Sequence, residues 1–163
     1  MDGEKQPTVA QIVEQTLPRW AELPDLELYM DQVLSLIERY LGACPGFDRK
    51  GLTASMVNNY VKLGVMPPPV RKRYTRVHLA HLVMICLLKS VLPIEVIRKL
   101  LLRSIEQRDE SEVYDGFCDL FEASACRAAS AEHDAGLEEI YAAALRAQAE
   151  QAAALRLCET MLK

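Results

Sequence analysis

Apolar side chains recur along this chain at intervals of three and four residues, which is the period of a helix, and they rarely alternate one-in-two as a strand requires. The spacing predicts an amphipathic helix through Leu26, Tyr29, Met30, Val33, Ile37, Tyr40 and Leu41, with Asp25 as its N-cap and Gly42 just past its end. A second, short helix starts at Ala54 behind the N-cap Thr53; it is stopped by Gly64 and barred from continuing by Pro67-Pro68-Pro69, because proline lacks an amide donor and restricts the residue before it. From Arg76 to about Val91, capped by Thr75, the pattern is apolar on nearly every side, which predicts a central buried helix. Pro93 opens another helix that aligns Ile94, Ile97, Leu101 and Ile105. Val113, Phe117, Leu120, Phe121 and Ser124 form a further face, and an alanine-rich segment from about Asp134 to Leu162 ends the chain. Ahead of all these, Ile12, Val13, Leu17 and Trp20 are spaced for a short helix that Pro18 interrupts. The expected fold is all-α, organised as a lead-in over 1–24, a helical domain over 25–105 and a C-terminal helical region over 106–163.

At 163 residues with 50% hydrophobic and 26% charged content, the chain suits one compact unit that buries roughly two-thirds of its unfolded surface. The acidic start, Met1-Asp-Gly-Glu-Lys5, leads into no apolar segment of the secretory kind, so a cytoplasmic location is expected. The longest apolar run, 82–88, is far short of the roughly twenty residues that span a bilayer, and no membrane partner is expected. Five scattered cysteines without a Cys-x-x-Cys pair signal neither a disulfide framework nor a zinc site.

Charge sharpens the picture. The net charge of −4 hides a basic middle: residues 49–103 carry eleven Lys and Arg against Glu95 alone, whereas the segments before and after are acidic, with three basic against nine acidic residues and five against thirteen. Such a segment is the footprint expected of a protein that neutralises phosphates, or of one that pairs with its own acidic flanks.

Within 52–76 the side chains divide by face. Val57, Tyr60 and Val61 fall at i, i+3 and i+4 toward a core, while Ser55, Asn58, Asn59 and Lys62 form the opposite stripe. Asparagine bonds an adenine edge with two hydrogen bonds in the major groove, so Asn58 and Ser55 are assigned to base edges. Asn59, Lys62, Arg71, Lys72, Arg73 and Arg76 are assigned to the DNA backbone. His78 and His81 stand three apart on one helix without a third metal ligand nearby, and are expected to bound the buried helix or touch phosphate. No glycine-rich phosphate loop, H-E-x-x-H or G-x-S-x-G is present; neither an enzyme nor a cofactor is expected.

The order of helix, Gly-Val-Met-Pro-Pro at 64–68, a basic link ending Arg-Tyr-Thr at 73–75, a buried helix and a helix opened by Leu-Pro-Ile-Glu-Val-Ile at 92–97 resembles the MerR-type winged helix-turn-helix. More closely, 23–33, 52–62 and the His-Leu-Ala-His-Leu stretch at 78–82 resemble the YkrK-type bacterial family of uncharacterised proteins. The MerR-like resemblance implies that Thr53 caps a recognition helix over 54–63 and that Arg71, Lys72, Arg73 and Tyr74 form a wing, here much shortened. It departs from that pattern at Asn58 and Asn59, where arginine or tyrosine is usual, and in the long loop 43–51. The expected function is a DNA-binding regulator whose partners are double-stranded DNA and a second copy of the chain. The alternative is a helical protein-interaction module that keeps the skeleton without binding DNA.

Overall fold

The computed structural model describes residues 16–44, 46–130 and 137–163. The expectations placed on Ile12, Val13, Pro45 and the helix start at Asp134 lie outside the described residues. Among the described residues a 3-10 turn, Trp20–Glu22, precedes six helices: α1 (Met30–Leu41), α2 (Ala54–Lys62), α3 (Arg76–Leu88), α4 (Ile94–Ile105), α5 (Glu110–Ser130) and α6 (Leu137–Met161). Among the described residues there is no strand, only two isolated antiparallel bridges, Leu28 with Tyr74 and Val70 with Arg73.

The centre is α3. Residues 78–86 are buried without interruption, as an element apolar on every side must be, and α1, α4 and α5 pack around it. α1 turns Val33, Ile37 and Leu41 inward, and α4 contributes Ile97 and Leu101. α5 closes the body with Tyr114 and Cys118, both fully buried, and Tyr114 stacks obliquely on Trp20 with ring centroids 6.3 Å apart.

Several expectations are corrected. α1 begins at Met30, not after Asp25: residues 25–29 stay outside the helix because the Leu28 amide and carbonyl exchange hydrogen bonds with those of Tyr74 at 2.8 and 2.9 Å, a long-range pairing that local capping preferences do not encode. Asp25 instead faces Arg76 at 3.7 Å. Gly42 sits in the right-handed region, and left-handed backbone falls at Gly46, Gly51 and Gly64. On α5 the expected Val113, Phe117 and Phe121 do pack against the core, but the fully buried residues are Tyr114 and Cys118, and Leu120 is 68% exposed. The lead-in joins the core through Leu17 and Leu23, so the packed body crosses both boundaries expected at 24 and 105. Among the described residues no helix is long and apolar enough to cross a membrane.

Candidate nucleic-acid interface

α2 is short because both of its ends are specified. At its start the Met56 amide donates to Thr53 Oγ1 at 3.3 Å. At its end the Gly64 amide donates to the Val61 carbonyl and the Val65 amide to the Tyr60 carbonyl, at 3.0 and 2.9 Å, with Gly64 at φ 68°. That arrangement satisfies the last carbonyls of the helix and calls for glycine. The Arg98 side chain closes over the same turn, its Nε 3.4 Å from where a Cβ on Gly64 would stand.

Between these ends, Val57 and Tyr60 are buried and Val61 packs against the core, so Ser55, Asn58, Asn59 and Lys62 are exposed on the outer face. Burial raises the Tyr60 hydroxyl to about 12, which keeps it protonated beneath the helix.

Val65 and Met66 plunge back into the core, and the three prolines carry the chain out to a tight turn. There the Arg73 amide donates to the Val70 carbonyl at 2.9 Å, and Arg71 and Lys72 both adopt positive φ, 51° and 61°. Two central residues with positive φ make the turn type that suits a two-residue hairpin, a position usually given to Asn or Gly. Here two long cations occupy it, both exposed to solvent. Among the described residues neither Arg71, Lys72 nor Lys62 forms an ion pair.

The root of the turn is fastened from two sides. The Arg73 guanidinium lies over the Tyr29 ring, 3.6 Å from its centroid, and Tyr74 is held by Leu28. Arg76 is also committed to the fold: its Nε donates to the Leu23 carbonyl at 3.1 Å and its guanidinium lies between Asp25 and the Trp20 ring. Six of the eight residues assigned from sequence are exposed, four on α2 and two at the tip of the turn, and make up the candidate ridge, while Arg73 and Arg76 are held by internal contacts.

His78 and His81 are buried, 4% and 3% exposed, so neither is open to a phosphate outside. His78 Nδ1 accepts from the Thr75 amide at 2.9 Å, and Nε2 then carries the proton and donates to the Pro68 carbonyl at 3.4 Å. Its ring also meets Tyr74 edge-on at 5.3 Å. One neutral imidazole therefore joins the proline loop, the start of α3 and the base of the turn. Burial lowers its proton affinity. His81 is pushed down to about 4, first by burial and then by the charge His78 would carry, with the Val65 backbone opposing. Its closest carboxylate is Glu110, at 3.8 Å, whose own pKa burial raises. This pairing had no sequence signal, because Glu110 reads as an ordinary surface acid at a helix start. Among the described residues no group of three or more His, Cys, Asp or Glu is placed to hold a metal ion.

An all-helical body carrying a cationic hairpin turn beside the exposed face of a short capped helix is the class these features define. Residues 18–118 match the family model described as Domain of unknown function (DUF1836), and the chain belongs to that family. The matched span contains all the fully buried large side chains but Leu17, so family and packed body nearly coincide, and α6 lies beyond the match. No curated protein and no solved structure matches the chain.

Proposed function

We propose that this protein is a DNA-binding transcriptional regulator of the helix-turn-helix kind, related in plan to the MerR-type and YkrK-type proteins it resembles. α2 lies in the major groove with Asn58 and Ser55 toward base edges; Asn59 and Lys62 face the phosphates. The turn at 70–73 acts as a minimal wing whose tip, Arg71 and Lys72, reaches the adjacent backbone. Arg73 and Arg76 contribute by holding that tip in place. The protein works in the cytoplasm as a two-fold dimer built through its C-terminal helices, so its half-sites are palindromic.

One observation carries this reading: two neighbouring basic residues hold the left-handed backbone of the turn, where side chains cost about 1–2 kcal/mol each and glycine or asparagine would serve the fold better. Strain of that kind is retained where the side chain itself is used. The competing reading, a protein-interaction module with the same skeleton, draws on the commitment of Arg73 and Arg76 to internal contacts, which removes two cations from the ridge.

Titration against duplex DNA at several salt concentrations tests the proposal. Binding weakens with salt at a log–log slope of about −0.9 per phosphate contacted, and Arg71→Ala with Lys72→Ala flattens the slope by roughly 2. Binding that ignores salt, or a double variant that keeps the full slope, overturns it in favour of the interaction module.

A further inference from the structure

The outer half of the body carries two apolar surfaces that no described residue of the same chain covers. One is an open groove of about 860 Å³ between α3, α4 and α5, floored by Leu88, Leu100, Phe117 and Phe121, with Leu120 on its lip. The other is on α6. That helix touches its own body through Ala154 and Leu155, and Gln151 donates to the Val91 carbonyl at 3.0 Å. Further toward its start, Ile140, Tyr141 and Leu145 stand 60%, 71% and 64% exposed.

At 100° per residue these three and the docked Gln151, Ala154 and Leu155 fall within one half of the helix, an arc of about 180°. The docked face of α6 therefore continues, uncovered, for about 9–17 Å along the rigid helix. No residue of α6 lines the groove of its own chain. In proteins most helical stability comes from packing of an apolar face, and this face is packed only at its far end. Charge agrees: Arg108 on the groove rim and Glu138 beside the stripe both lack an ion-pair partner among the described residues.

We infer that α6 of one copy seats Ile140, Tyr141 and Leu145 in the α3–α4–α5 groove of a second copy, and that the second copy returns the same contact. A groove and a stripe on one chain are self-complementary under two-fold symmetry, which uses both surfaces twice and leaves neither open. The inference specifies the dimer contact of the regulator proposed above and rests on the dimeric part of that reading. The occupant is a helix of this chain, laid apolar face down as other groove-bound helices are.

Sedimentation of the full chain without DNA tests it, using positions whose exposure in the protomer leaves folding intact, with helicity checked by circular dichroism. The native chain sediments as two copies. Leu120→Lys on the groove lip and Leu145→Glu on the stripe each weaken association about tenfold or more, because each sets a charge against an apolar surface. Tyr141→Lys, a second stripe variant, does the same. Mixing the Leu120→Lys and Leu145→Glu chains restores a dimer, since the mixed pair keeps one native junction and sets Lys against Glu at the other. A native chain that stays monomeric overturns the inference. So does a Leu120→Lys chain that dimerises normally while Leu145→Glu does not, which would mean that α6 pairs with α6, and so does a mixture that stays monomeric. Full DNA binding by Arg71→Ala/Lys72→Ala with the dimer intact would tell against the ridge alone, and a monomeric chain that binds DNA would tell against the dimer alone.

Discussion

The Arg73 guanidinium stacks on the Tyr29 ring at 3.6 Å from its centroid, joining the base of a surface hairpin to the residue that precedes α1. Neither residue is deeply buried, so the contact contributes on the order of 0.5–1 kcal/mol to stability. Its larger effect is positional. Tyr29→Ala lowers DNA affinity about two- to fivefold by loosening the turn, while global stability changes by no more than about 1 kcal/mol. Urea unfolding paired with DNA titration checks this; a variant that loses both together, or neither, refutes the positioning role.

Lys72→Gly separates fold from function. Glycine accepts φ 61° without the steric cost a side chain meets, so the variant is more stable by about 0.5–1 kcal/mol, a rise of roughly 1–4 °C in Tm. Removing the cation reduces the salt slope of DNA binding by about 0.9. A Tm that falls, with the slope unchanged, would show that the lysine serves the turn instead of a ligand.

Asn58→Ala leaves the turn and its cations untouched and acts on sequence choice. The discrimination between the preferred base and its competitors falls by about 1–3 kcal/mol at a single position, while affinity for unrelated duplex barely moves. Selection from a randomised duplex library reads this directly, and an unchanged preferred site removes Asn58 from the base-contacting set.

Acid weakens the fold through the histidines. His81 binds a proton in the unfolded chain near its ordinary value of 6.5 but in the folded chain only near 4. A lowered folded value means that its contribution is fully present above pH 6.5 and is lost as pH falls toward 4, a change of about 3 kcal/mol at most. His78 acts in the same direction. Glu110, held above the usual carboxylate value by burial, opposes them, since its protonated form is the one the fold prefers. Urea unfolding at pH 7.5 and pH 5 shows a fall for the native chain and a smaller fall for His81→Leu; equal falls would contradict a neutral buried His81.

How much of this was legible in the residues depended on how local each cause is. The split of α2 into buried Val57 and Tyr60 and exposed Ser55, Asn58, Asn59 and Lys62 is a matter of helical spacing, and the Thr53 cap and Gly64 stop are local chemistry. The true start of α1 was hidden because it depends on Leu28 pairing with Tyr74, forty-six residues away. The turn at Arg71 and Lys72 lacks the Asn or Gly that announces its type, so only the backbone angles reveal it. Arg76 looks like a free cation until Leu23, Asp25 and Trp20 are found around it. Leu120 fits the stripe of α5, yet its direction is set by Tyr114, which turns toward Trp20.

The imidazole of His78 has one further implication. Because a single ring is bonded to both Pro68 and Thr75 and abuts Tyr74, the outer loop cannot shift without tugging the first turn of the innermost helix. Whatever presses on the tip of the hairpin is felt in the middle of the molecule, along a linkage only one side chain long.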